Sequence, residues 1–464
     1  MTDKYRPTRV LIADLIGLSF GPDGTADPTQ ARTYIEAQEG CSFEFGHVAD
    51  PKNGLPNPAR VIFYYCPDVS TEAELLALAG GDVYDALITA ATFIPADCNF
   101  ALGGVRIGAG TGNMGSSSWG GPNGQGGVAP LMNTPGINSR ATAQMVWKAL
   151  MMALPNLPFN ELHTQVADGR FDTGRNLRDF PTKKLEGQKL AVIGYGNIGR
   201  EVAKLGRAFH MDVSVFARGR HREWIESEGF FYAETLEAAA RDAIALSVHL
   251  GLGPIDEHRG IPANTGIIAD RVLSAMAHGS VLINFDRGEL VNTIALANAM
   301  ESGRIAHAII DADVFVDEGN GAISGPMAPY LPLLEAFGKQ LCLLPHAAAD
   351  TDHPTRVAGA KQAVDQILAV IRTKTVINTV GELPGGFKQG GIRVPTGIGG
   401  VTVATLAELQ RSGEFEKIRL AIAEIEGCLA EFGKGNEAVA YKLMLQINRI
   451  EQALNSTGLG GPLR

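Results

Sequence analysis

Apolar positions in the first 380 residues fall into two rhythms that take turns along the chain. Short unbroken apolar runs, each of buried-strand length, stand in RVLIADLIG from Arg9, at Ser42 to Val48, in RVIFYYC from Arg60 to Cys66 and in YDALITAA from Tyr84. Between them lie helical stretches: a polar one at Gln30 to Glu39, and TEAELLALAGG from Thr71, which opens on a residue suited to capping and closes on glycine. This alternation predicts a mostly parallel α/β sheet over residues 8–100. A second set runs from Lys189 to about Leu344, with strands expected at 190–193, 213–216, 244–248, 281–284, 307–310 and 341–344 and helices between them. Helical patterns at Asn138 to Leu154 and Pro354 to Thr373 carry the chain from the first set to the second and back.

The pattern then changes. GELPGGFKQGGIRVPTGIGG, from Gly381, reads as a linker. Beyond it Phe415, Ile418, Ile422, Ile425, Leu429 and Phe432 recur at spacings of three and four, and after GKGN so do Val439, Leu443, Ile447, Ile450 and Leu454. That is a helical hairpin with one apolar stripe per helix, packed on its own chain or on a second subunit. Gly103 to Gly127 holds eleven glycines in twenty-five residues and cannot be regular structure throughout. It reads either as a loose surface loop or as a backbone-lined pocket wall, the wall being favoured at Ile107 to Thr111.

KLAVIGYGNIGREVAKLGRAF, Lys189 to Phe209, carries the most specific chemistry. An apolar strand, glycines at 194, 196 and 199, and an amphipathic helix form the context that a dinucleotide requires. Gly194 makes the turn, Gly196 lets backbone approach a pyrophosphate, and Gly199 lets helix and strand close up, with Tyr195, Asn197 and Ile198 completing the loop. The expected acid at the end of the next strand is missing: VSVF is followed by Ala217 and Arg218. A guanidinium there suits a 2′-phosphate, so NADP is favoured and NAD remains possible.

Composition narrows the function. A chain of 464 residues needs more than one core. A net charge of −10 disfavours nucleic acid and anionic membrane as partners, and no stretch reaches transmembrane length. Cys41, Cys66, Cys98, Cys342 and Cys428 are scattered, as buried thiols in a reducing cytoplasmic compartment would be, with neither a disulfide frame nor a metal site.

VLINFDRGELVNTIALANAMESGRIAHAIIDADVF from Val281, then LLPHAAADT from Leu343, with NTPGIN at 133–138, resembles the D-isomer-specific 2-hydroxyacid dehydrogenases, over roughly residues 80–380. The resemblance implies two Rossmann-like doubly wound domains plus the helical extension. Residues 1–137, completed by 354–384, would bind substrate, 138–353 the dinucleotide, and 385–464 would form the linker and hairpin. It further implies hydride exchange between a small 2-oxo acid and its (R)-2-hydroxy acid, and a homodimer. The family's arginine falls on Arg287, its histidine on His346, and its acid on Glu318, with Asp317 as the alternative. His346 would shuttle the proton, Glu318 would orient its ring, and Arg287 would grip the substrate carboxylate. The loop at Ala109 and Gly110 would hold the same carboxylate, and Asp311 or Asp313 the nicotinamide carboxamide.

Departures are informative. Asp286 precedes Arg287 where the family has a small residue, so it could pair with the arginine or meet a cationic part of the substrate. Near TAATF no basic residue awaits a phosphorylated substrate, unless Arg106 or a partner supplies one. Two other readings use the same fold: a formate- or phosphite-type dehydrogenase, and a dinucleotide-sensing co-repressor-like protein without turnover.

Overall fold

The computed structural model describes residues 6–50, 59–69, 71–154, 159–180, 184–316, 321–346 and 352–390, the helix Glu414–Phe432, and scattered positions from 439 to 450. Two seven-stranded sheets dominate it. The first is built from β1 (Thr8–Ile12), β2 (Cys41–Phe45), β3 (Val61–Tyr65), β4 (Ala86–Thr89), β5 (Gly104–Arg106) and β6 (Leu131–Asn133). These six run parallel, and a short strand at Thr379–Val380 closes the edge antiparallel to β6.

The second sheet takes β7 (Lys189–Ile193), β8 (Asp212–Phe216), β9 (Phe231–Ala233) and β10 (Ala245–Val248). A small hairpin of β11 (Ile255–Asp256) and β12 (Ile261–Pro262) follows, then β13 (Ser280–Asn284) and β14 (Ile305–Ala312). A second hairpin, β15 (Phe315–Val316) and β16 (Ile323–Ser324), precedes β17 (Leu341–Pro345). Its order is β17-β14-β13-β10-β7-β8-β9, all parallel, so the chain leaves β7 toward one edge and returns through β10 toward the other. The ends of β7 and β10 therefore flank a switch point, where an open sheet of this kind binds ligands.

The unbroken apolar runs are explained by burial on both faces. In the first sheet Val10, Ile12 and Phe63 pack under helices Thr29–Glu36 and His353–Thr373, while Leu11, Tyr64 and Leu87 face Leu75, Phe100 and Trp119. In the second, Ile193, Leu246 and Leu282 pack on one side, and Val192, Val215 and Ile283 meet Trp147 and Val202 on the other. Helix Ser139–Ala153 thus belongs to the second sheet, while His353–Thr373 returns the chain to the first. Helix Glu72–Ala79 opens on a capping box in which Thr71 Oγ1 accepts from Glu74 N–H and the Glu74 carboxylate accepts from Thr71 N–H.

The glycine-rich tract is not a loose loop. Met114, Ser116, Ser118 and Trp119 are buried, and Trp119 stacks on Phe100 at 5.8 Å and donates its Nε1–H to Met114 O at 2.9 Å. Glycine is needed where the indole crosses β5, since a Cβ on Gly104 would lie 2.8 Å from the ring. In the C-terminal extension the helix Glu414–Phe432 is present, and Glu424 reaches Gln446 and Arg449 across the hairpin. The stripe is not sealed there: Ala421 is buried but Ile422 is exposed, and most of the second arm lies outside the described residues. Among the described residues no helix is long and apolar enough to cross a membrane, and all five cysteines are free, Cys66 and Cys98 being the buried ones.

One carboxylate holds the functional edge of the first sheet. Asp14, just past β1, accepts N–H groups from Leu15, Ala90, Ala91 and Thr92, and the Thr92 hydroxyl as well. Asp14→Ala strands those donors, and should lower the unfolding free energy by about 2–3 kcal/mol, read as a fall in the urea midpoint.

Candidate active site

The turn after β7 has the shape the glycines anticipate. Gly194 has φ +102°, its N–H donates to Phe216 O at 2.8 Å, and a Cβ there would fall 2.0 Å from His249 O. A Cβ on Gly199 would lie 2.1 Å from Gly194 O, so the helix Asn197–Ala208 can sit this close only without one. Gly196 differs: a Cβ there would meet nothing within 4 Å. That open cradle lies at a helix N-terminus with no side-chain cap, whose first N–H groups, around Asn197 and Ile198, have no acceptor among the described residues. The space and the donors fit a pyrophosphate. Of Tyr195 only the backbone lines the loop. Its buried ring packs on Trp224 at 5.0 Å and its hydroxyl bonds Glu228, which also pairs with buried Arg200 through Nε at 2.8 Å.

At the end of β8, Ala217 is buried and its carbonyl accepts from the Tyr232 hydroxyl at 3.2 Å. Arg218 is exposed, and among the described residues it forms no hydrogen bond or ion pair.

Three strands deliver the reactive groups. His346 follows β17 directly, and its Nδ1 lies 2.8 Å from Asp311 Oδ1 near the end of β14. The Asp311 carboxylate holds the imidazole above its usual range, against a smaller opposing effect of burial, with Asp313 adding to the rise and Arg287 opposing it. Asp311 is almost wholly buried. It was a candidate for the carboxamide; here its carboxylate pairs with the His346 ring nitrogen, and the part that the resemblance gave to Glu318 is left untested by the described residues. Glu318 and Asp317 lie outside the described residues. Asp313 is half-buried and offers its backbone carbonyl to Met327 N–H at 2.9 Å.

Arg287 follows β13 on a turn braced by buried Asn284, whose Nδ2 donates to Arg287 O at 2.8 Å and whose Oδ1 accepts from Asp286 N–H at 3.2 Å. Gly288 must be glycine, because a Cβ would lie 2.9 Å from both Ala312 Cβ and Pro326 O. The guanidinium reaches the first domain: a Cβ on Gly110 would sit 2.9 Å from Arg287 Nη2. The Ala109–Gly110 loop is itself braced, with Gly108 N–H donating to Thr134 Oγ1 at 2.7 Å and Asn133 Nδ2 to Ala109 O at 2.6 Å. Among the described residues neither Ala109 nor Gly110 donates its own N–H to protein. Two backbone donors that bond nothing among the described residues thus stand on the loop that the guanidinium approaches, a combination that suits a carboxylate. The bracing roles of Asn284, Asn133 and Thr134 went unread in the sequence, although NTPGIN and INFDRG contain them.

These parts are those of a nicotinamide-dependent oxidoreductase, and comparison with known proteins gives the family. The model of the D-isomer specific 2-hydroxyacid dehydrogenase NAD binding domain matches residues 149–348. A glyoxylate reductase from Aeropyrum pernix is 33% identical over 251 residues, covering 54% of this chain and 69% of the relative. A D-3-phosphoglycerate dehydrogenase from Methanocaldococcus jannaschii is 27% identical over 250 residues, covering 54% and 43%. In fold, the chain resembles the NAD-complexed D-isomer specific 2-hydroxyacid dehydrogenase of Lactobacillus delbrueckii ssp. bulgaricus, with TM-score 0.52 and 18% identity over 79% of this chain and 98% of the other. It likewise resembles apo D-lactate dehydrogenase from Escherichia coli, with TM-score 0.53 and 15% identity over 80% and 100%. The chain belongs to the D-isomer-specific 2-hydroxyacid dehydrogenase family.

Because Asp311 raises the His346 pKa, the protonated ring persists above its ordinary titration range. With His346 as the proton donor that the resemblance implies, reduction should be fast below the raised value and decline as pH climbs through it. Asp311→Asn should shift the decline to lower pH, measured as the pH profile of reductive kcat/KM.

Proposed function

We propose that this protein is a 2-oxo acid reductase and (R)-2-hydroxy acid dehydrogenase with NADP as its favoured cofactor. The observation that carries the reading is the His346–Asp311 pair set beside an arginine that faces unbonded N–H groups on the opposite domain. Gly194, Gly196, Asn197, Ile198 and Gly199 would hold the dinucleotide, with Arg218 on a 2′-phosphate and Asp313 toward the nicotinamide end. When bound, it supplies or accepts the hydride at the substrate C2.

The chain's own groups do the rest. Asp311 occupies Nδ1 of His346, which leaves Nε2 to give a proton to the carbonyl oxygen during reduction and to take it back during oxidation. The rising negative charge on the oxygen of the reacting carbonyl is met by the imidazolium and by Arg287. Arg287 and the N–H groups of Ala109 and Gly110 fix the carboxylate, so that C2 has one orientation. Apolar side chains left exposed in the last turn of the first long helix and just beyond it, Met152, Phe159, Val166 and Leu177, support a homodimer formed over that arm.

The reading is tested by following reduced-nicotinamide absorbance with NADPH or NADH against glyoxylate, hydroxypyruvate, pyruvate and branched or aromatic 2-oxo acids. Turnover with at least one is expected. Silence across the panel, with cofactor binding shown separately, would overturn it in favour of a protein that senses the dinucleotide. His346→Ala should cut turnover by a factor of about 100 or more while cofactor binding is kept. Arg218→Ala should weaken NADPH binding and spare NADH; equal loss of both would remove the 2′-phosphate assignment.

A further inference from the structure

Asp286 is the polar group of this site that the mechanism leaves unused. Its backbone is tied to Asn284, but among the described residues nothing donates a hydrogen bond to its carboxyl. The nearest cation is the neighbouring Arg287, whose Nε stands 3.9 Å from Asp286 Oδ1, too far for a hydrogen bond. The side chain keeps 21% of its surface accessible, so it is partly buried and still within reach of a ligand. The titratable and charged groups around it are Arg287 on its own turn, His346 beyond β17 and Asp311 on β14. Across the cleft Arg106 is folded over its own loop, with Nη1 in the space a Cβ on Gly108 would take.

A carboxyl without a donor, beside the clamp that holds the substrate carboxylate, will bond or repel whatever the substrate carries next to its oxo acid group. We propose that Asp286 is a specificity-determining charge filter. It admits 2-oxo acids whose second substituent is neutral or donates a hydrogen bond, and it rejects those with a second anionic group. This inference rests on the 2-oxo acid reading of the site. It also resolves the alternatives left by the sequence: the contact with Arg287 is loose, so the carboxyl is directed to the ligand rather than used up by the arginine. Burial pushes the Asp286 carboxyl up to about 7, with Arg287 and His346 opposing and Asp311 reinforcing. Above that pH the group is an anion and the filter is strong; below it the group is neutral and the filter fades.

Oxamate and oxalate make the test, because they share one shape and differ by one charge. Oxamate presents an amide donor where oxalate presents a second carboxylate. Binding of each to the cofactor-loaded protein is measured by titration. The wild-type chain should bind oxamate at least about tenfold more tightly than oxalate near about pH 8, and the gap should narrow near about pH 6. Asp286→Asn, and independently Asp286→Ala, should bring the two affinities within about threefold at both pH values. Because His346 titrates in the same range, the wild-type pH trend is read against these variants. Equal affinities in the wild-type chain near about pH 8, or a preference that survives both variants, overturns the inference. If the wild-type chain binds cofactor but neither anion, the carboxylate clamp itself fails, and the proposed function falls with it.

Discussion

Because all seven strands of the second sheet run parallel, the first residues beyond them emerge along one edge, and that edge collects nearly every group with chemistry. Gly194 follows β7, Ala217 follows β8, His249 follows β10, Asp286 and Arg287 lie beyond β13, Asp311 lies near the end of β14, and His346 follows β17. None of these residues is near another in sequence, apart from the Asp286–Arg287 pair. Register brings them together: β14 pairs residue by residue with β17, which sets Asp311 alongside Leu344 and so within reach of His346 just beyond. Slipping that register by one residue would turn the Asp311 side chain to the other face of the sheet and leave the imidazole without its partner.

Much of this was legible in the chain. Every strand expected in the second set is present, within two residues of its boundaries, because buried parallel strands leave unbroken apolar runs that glycine and polar turns delimit. The glycine loop was legible for the same reason that it functions: backbone that must pass within van der Waals contact of other backbone cannot carry a Cβ. What stayed hidden was pairing across the fold. Asp311 and Asp313 are two residues apart and chemically identical, so strand alternation favours neither, and it is the pairing of β14 with β17, which ends at Ala312 and Pro345, that sets Asp311 beside His346. The small strand β9 and the β11–β12 hairpin also escaped, being too short to show a period. The glycine-rich tract misled in one of its readings, since a high glycine count resembles a flexible loop whether the glycines confer freedom or make room for a buried indole such as Trp119.

The two domains divide the ligand problem. In the proposed site the second sheet would supply charge and protons through side chains at strand ends, and the first would supply backbone N–H groups from a loop held by Thr134 and Asn133. Each half is fixed by its own short hydrogen bonds before the two meet at Gly110 and Arg287. A glycine at that meeting point is what permits the guanidinium to come so near.

The buried cluster behind the dinucleotide loop has a further effect. Tyr195, Arg200 and Glu228 tie the loop and the first turn of its helix to the chain beyond α-helix Arg222–Ser227, through contacts within the protein alone. The loop's disorder is thus given up during folding rather than at the encounter with the cofactor, which leaves less entropy to be lost on binding. The Arg200–Glu228 ion pair thus acts on binding from behind the loop, by holding the cradle in shape.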